Sequence, residues 1–206
     1  MTTDVSEFCR LDRRKRAIVD AARTLFVEQG YERTTVGDIV EKAGGSLSTV
    51  YKVFGSKDGL LEAVVFEQAG SGEAIINSAM SQGGSPADIL HRLAEDLREH
   101  FLNPEMVALV RIVIARSIND RNFAQMFYER TATRTDRALA RMFAQWQSDG
   151  VEMVGDPEML AEIFLDMIVS DLHVEAILHS GGRTHSPERV RARTEFFLAG
   201  TNLADR

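Results

Sequence analysis

Residues 34–61, TTVGDIVEKAGGSLSTVYKVFGSKDGLL, set two short helices on either side of a glycine pair and then start a third. Thr35 is placed to cap a helix beginning at Val36, and Asp38, three residues on, completes a capping box. Ala43 is that helix's last good helix former, and Gly44 can take the left-handed conformation that ends it. Ser46 caps a second helix, Leu47 to Phe54. Ile39, Val40 and Ala43 on the first helix can meet Val50 and Phe54 on the second, which leaves Ser48, Thr49, Tyr51 and Lys52 facing outward. Two helices crossing at a tight glycine turn form a helix-turn-helix, whose second helix enters the major groove of DNA.

The flanking sequence supports that reading. Before it, Ala17, Ile18, Ala21, Ala22, Leu25 and Phe26 make one apolar stripe opposite Arg13, Arg14, Arg16 and Arg23, a helix that cores a three-helix domain. Charge is divided unevenly. The chain carries a net charge of −7, yet residues 10–61 hold ten Lys/Arg against seven Asp/Glu, while residues 62–206 hold fourteen against twenty-two. All four lysines lie at or before Lys57. A basic amino-terminal module on an acidic body fits a protein of which one end meets phosphates, and argues against one that coats DNA indiscriminately.

At 206 residues the chain can bury a full core without disulfides or metals. Its one cysteine, Cys9, has no internal partner, which points to a reducing compartment. With no signal-like start, and no apolar run near the ~20 residues a bilayer demands, the expectation is a cytoplasmic protein without membrane partners. Ser85-Pro86, Asn103-Pro104, Asp156-Pro157 and Ser186-Pro187 each pair a capping residue with a proline suited to the first helical position. The predicted fold is all-α with about nine helices, near 11–29, 36–43, 47–54, 57–80, 86–101, 104–118, 121–148, 157–180 and 187–203. Residues 1–10 are expected as a flexible arm, 11–56 as the helix-turn-helix DNA-binding domain, and 57–206 as a helical ligand-binding and dimerisation domain reached through a connecting helix, 57–80.

With the basic helix RRKRAIVDAARTLFVEQGYERTTVGDI before it and AGGSLSTVYKVFGSKDGLL after, the chain resembles the TetR family of bacterial transcriptional regulators. The ordered elements ARTLF, GY.RTTV.DI, AG.S, TVY..F and SKDGLL carry the resemblance. It implies that Tyr51 and Lys57 grip backbone phosphates and that the helix from Lys57 transmits ligand binding to DNA release. A separate physical case exists for Lys57, which follows the Ser56 cap so that its cation and the helix-start N–H groups can face one anion. Thr35 and the Ser46 cap join this contact set, and base reading falls to Leu47, Ser48, Thr49 and Lys52. Two departures stand out. Gly45 replaces the apolar residue usual in the turn, and Gly37 offers no side chain where many relatives touch DNA. The later segments FLNPEMVALVRIVIARSINDRNFAQMFYERT and DPEMLAEIFLDMIVSDLHVEAIL are similar to AefR-type carboxy-terminal domains, which implies a homodimer built from the last two helices.

Leu160, Phe164, Ile168 and Leu172 recur every four residues, and with Phe196 and Phe197 they are the predicted dimer interface. Arg111 lies within an almost wholly apolar run, so its guanidinium must be paired. A carboxylate, Asp166 or Asp171, could pair with it, and so could a polar group of an effector. The predicted effector site is lined by Phe101, Met106, Arg111, Phe123, Phe127, Trp146 and Met167, an apolar wall with one fixed cation. Asp171, His173 and Glu175 are spaced by two on a helix, which turns His173 away from the other two and gives no metal site. Neither a catalytic cluster nor a cofactor motif is present. The expected function is a ligand-responsive regulator, a repressor bound as a dimer to a palindromic double-stranded operator and released by a small, mostly apolar effector. An architectural DNA-binding factor without effector and a helical enzyme are the rival readings.

Overall fold

The computed structural model describes residues 3–129, 133–178 and 186–204, with side chains from Asp12 onward except at 68–70. Ten helices account for nearly all of them, and no strand occurs among the described residues. The helices are α1 (Thr3–Gln29), α2 (Val36–Ala43), α3 (Leu47–Phe54), α4 (Lys57–Ser81), α5 (Pro86–Phe101), α6 (Pro104–Asn119), α7 (Arg121–Phe127), α8 (Thr133–Ser148), α9 (Pro157–Leu178) and α10 (Pro187–Thr201). Four of them begin at the four prolines, where the missing N–H has no partner to lose.

The chain separates into two compact units, Met1–Gln68 and Ala69–Arg206, which part inside α4 rather than at its start near residue 57. In the first unit, the α1 stripe of Ile18, Ala21, Ala22, Leu25 and Phe26 is buried with Ile39 of α2, Val50 of α3 and Leu60, Leu61 and Val64 of α4. The turn after α1 is fixed by Thr34, fully buried, whose hydroxyl donates to the Gly30 carbonyl at 2.9 Å and the Leu25 carbonyl at 3.2 Å. Helix α1 itself runs back to Thr3, through the segment expected as a flexible arm.

In the second unit, Phe143 of α8 is the hub, with ring centroids 5.5 Å from Trp146, 6.5 Å from Phe164 and 6.0 Å from Phe197. Leu90, Leu93 and Leu97 of α5, Leu139 of α8 and Leu160 and Ile168 of α9 complete this core. A smaller cluster of Val107, Leu172 and Ala176 joins α6 to the far half of α9. Over 121–148, expected as one helix, the described residues form α7 and α8, on either side of residues 130–132, which lie outside the described residues; α7 packs on α6 while α8 lies along α9. The Tyr128 amide is shared by the Ala124 and Gln125 carbonyls, and the Thr133 hydroxyl takes the Glu129 carbonyl.

Candidate nucleic-acid interface and regulatory domain

Both short helices of the amino-terminal unit are capped as their sequence requires. Thr35 accepts the Asp38 amide while the Asp38 carboxylate accepts the Thr35 amide, closing the capping box at 3.1 and 2.8 Å. Those bonds hold the Asp38 carboxyl below the usual carboxylate range, with the Thr35 backbone amide the larger cause. Ser46 accepts the Thr49 amide at 3.3 Å. Between the helices, Gly45 has φ +141°, a backbone conformation that side chains rarely adopt, so glycine here answers a geometric demand of the turn.

Helix α3 has one inward anchor, Val50, which is fully buried. Around it Ser46, Leu47, Ser48, Tyr51 and Lys52 are exposed and Thr49 is half-buried, with Thr35 exposed at the start of α2. The tyrosine ring, 52% exposed, is therefore not a core aromatic. The hydroxyls at the helix start bond to one another, Ser46 to Ser48 at 2.9 Å and Ser46 to Thr49 at 3.0 Å. Those bonds use part of the hydroxyls' hydrogen-bonding capacity, and Ser48, exposed with Leu47, Tyr51 and Lys52, keeps the rest.

Lys57 has an intramolecular role that the sequence did not reveal. Its ammonium donates to the Thr34 carbonyl at 2.9 Å and lies 4.2 Å from the centroid of the Tyr31 ring. The Tyr31 hydroxyl in turn bonds to Asp58. Lys57 thus ties the start of α4 to the turn after α1 through a charge-assisted bond and a cation–π contact.

In the second unit three expectations are corrected. Arg111 pairs with neither Asp166 nor Asp171. Its Nε donates to the Ala176 carbonyl at 2.9 Å and its Nη2 to the Glu175 carbonyl at 3.1 Å, both on α9. The partner of Asp171 is Arg193 of α10, at 2.8 and 3.2 Å, and Arg193 also donates to the Met167 carbonyl. A buried carboxylate on the Ile168–Leu172 stripe signalled that some cation must reach it, and Arg193, spaced with Val190, Thr194 and Phe197 on α10, was the legible candidate.

The predicted dimer residues Leu160, Phe164, Ile168, Leu172 and Phe197 are each at most 3% exposed within a single chain. They are the subunit's own core. Phe196 is 79% exposed, and the apolar side chains that α9 leaves outside are Met159, Ile163, Val174, Ile177 and Leu178.

The predicted effector lining also divides. Trp146 packs on Phe143, and Phe143 on Phe164. The twelve residues from Phe164 to Ala176, where Arg111 binds, span about 18 Å of helix. Trp146 is a core residue away from that end. Phe101 and Met167 are half-buried, as is Phe127, and Phe101 packs against both apolar clusters. Met106 and Phe123 are buried, and the Arg116 guanidinium stands 5.8 Å from the Phe123 ring centre. His100, unassigned by sequence, meets the Ser71 hydroxyl at 2.7 Å, and burial lowers its pKa. No group of three His, Cys, Asp or Glu able to hold a metal occurs among the described residues. Nor is any helix among them long and apolar enough to cross a membrane.

Comparison with known proteins agrees with both units. Residues 18–64 match the bacterial regulatory proteins of the tetR family, and residues 88–199 match the carboxy-terminal domain of AefR-like transcriptional repressors. A solved structure of a TetR-family transcriptional regulator from Mesorhizobium loti superposes with a TM-score of 0.82 at 30% identity, covering 93% of this chain and 98% of that one. An HTH-type transcriptional repressor of Mycobacterium tuberculosis is 28% identical over 182 residues, 87% of this chain and 88% of the relative. A shorter match, 36% identical over 74 residues, is to an uncharacterised HTH-type regulator of Bacillus subtilis and spans 36% of this chain and 38% of that protein. The exposed face of a capped recognition helix, the helical second unit and these matches together make the chain a member of the TetR family of DNA-binding transcriptional regulators, with an AefR-like carboxy-terminal domain.

Proposed function

We propose that this regulator is a repressor that binds a palindromic operator as a homodimer and leaves it when a small, mostly apolar effector binds the second unit. The observation that carries the DNA half is the outward face of α3, with Leu47, Tyr51 and Lys52 presented over the buried Val50. Thr35, Ser46 and Lys57 supply backbone contacts, and Lys52, with Leu47, Ser48 and Thr49, reads bases. In the dimer two such helices enter successive major grooves about 34–36 Å apart.

The subunits join through the outer faces of α9 and α10, where Met159, Ile163 and Ile177 are exposed on one helix and Phe196 on the other. The effector enters the half of the second unit built by α6, α7 and the end of α9, near Phe101, Met106, Arg111, Phe123, Phe127 and Met167. Support comes from the apolar residues gathered there, Met106 and Phe123 buried and Phe101, Phe127 and Met167 half-buried, beside the Arg111 guanidinium. The effector acts by the difference in its affinity for the DNA-competent and released forms.

The test is selection of random DNA fragments by the purified protein, followed by release titrations with panels of apolar carboxylates, acyl esters and aromatics. Enrichment of an inverted repeat, with release by one ligand class, is the expected result. Enrichment without a palindrome would favour an architectural factor and sink the repressor reading.

A further inference from the structure

Along α1, Leu25, Ala22, Ala21 and Ile18 form the buried stripe, and the next position toward the amino terminus on the same line, four residues before Ile18, is Arg14. Arg14, expected opposite the stripe, thus continues its line, and its exposed side chain reaches toward the neighbouring helices. There it meets the turn between α2 and α3. A Cβ built on Gly45 would lie 3.4 Å from Arg14 Nη2, 3.5 Å from Nε and 3.9 Å from Cζ, so the guanidinium turns its Nε–Nη2 edge toward the side of the glycine where a side chain would stand. Beside it is Ser46, the cap of the recognition helix.

Among the described residues no carboxylate pairs with Arg14, although Arg23, Arg98, Arg116 and Arg193 each have one. The guanidinium is exposed and stands next to the amino-terminal end of α3, whose free N–H groups carry partial positive charge. Two positive features side by side repel one another in the free protein and attract a shared anion. The surface they belong to is the one that receives DNA, where the available anion is a backbone phosphate.

We propose that Arg14 is a further DNA-backbone contact, a positioning residue that fixes the amino-terminal end of α3 against a phosphate, and that Gly45 provides the space in which its guanidinium lies. The contact sets the register of the recognition helix and carries no base preference. It also accounts for the departure at Gly45, because an apolar side chain in the turn would occupy the place of the guanidinium.

The experiment measures salt-dependent binding of the full-length protein to two probes, a duplex of random sequence and the fragment enriched by selection. Arg14→Gln is expected to weaken both by roughly tenfold near 0.1 M salt and to make the slope of log affinity against log salt shallower by about one. Site preference should not change. Arg14→Lys should restore most of the slope. Gly45→Leu tests the pairing, because a lone Cβ would stand at ordinary contact distance from the guanidinium. The φ of +141° strains a side chain in either background, so the variant should weaken binding more in the Arg14 protein than in the Arg14→Gln protein, whereas equal losses in both would mean backbone strain alone and overturn the role given to Gly45. A thermal melt and Lys52→Ala accompany the series. An unchanged slope for Arg14→Gln, in a protein that melts normally and in which Lys52→Ala still alters site preference, overturns the proposal while leaving the recognition helix in place.

Discussion

Two long cations, Lys57 and Arg111, show how a residue's sequence context fixes the need for a partner without naming it. Lys57 bonds the Thr34 carbonyl at 2.9 Å and covers the Tyr31 ring. Lys57→Ala should therefore cost about 1.5–3 kcal/mol of stability, the range for hydrogen bonds to charged groups, as well as shallow the salt slope of DNA binding by about one. A lower melting temperature with an unchanged slope would confine Lys57 to bracing the turn after α1. Arg111 bonds the Ala176 and Glu175 carbonyls of α9. Arg111→Met is expected to lower stability by about 1–3 kcal/mol, with Asp166→Ala giving no comparable loss. Urea denaturation of both variants decides it. Equal losses would restore a coupling between Arg111 and Asp166 that the geometry does not contain.

Elements differ in how much of their placement is local. The capped helices need only their own first turn. Helix α9 is apolar on more than one side, with Leu160, Phe164, Ile168 and Leu172 inward and Met159, Ile163 and Ile177 outward. Periodicity marks both sides and assigns neither to the core. Phe164→Ala should cost about 3–5 kcal/mol, as for other large-to-small changes in a packed core, and Phe197→Asp should prevent folding. Phe196→Asp, on the adjacent position of α10, should keep the native melting temperature of the subunit and yield monomers with weak operator binding. Sedimentation of a folded Phe196→Asp protein as an intact dimer would move the interface off this face.

For the molecule as a whole, acid sensitivity should come in two stages. Burial lowers the His100 pKa, so the unfolded chain binds a proton more readily than the folded one. Stability from His100 is whole above the ordinary imidazole value of 6.5 and is lost as pH falls from there toward the lowered folded value. Asp38 and Asp88, held low chiefly by bonds from Thr35 and Ser85, add stability that is present above 3.8 and lost as pH falls through their folded values. Asp136 runs the other way. Burial first, then Asp166 and Glu162, raise its pKa, so its contribution is present below 3.8 and lost as pH rises through the folded value. Thermal melts across pH 8 to 3 should show a decline beginning near neutrality, absent in His100→Gln, and a second decline in the carboxylate range. A wild-type profile flat from pH 8 to 5 would contradict the burial of His100.

The sequence by itself determined where nearly every helix starts and which module meets DNA, because caps, amino-terminal prolines and the spacing of an eight-residue recognition helix are interactions within one turn. Tertiary structure alone decided that α7 and α8 take different packing partners, that Arg193 rather than Arg111 answers Asp171, and that the Leu160–Leu172 stripe belongs to the subunit's own core. Those outcomes depend on which surfaces distant segments offer one another. An apolar stripe or a lone charge states in sequence only that it must be covered or paired, and the choice among possible partners is made by packing.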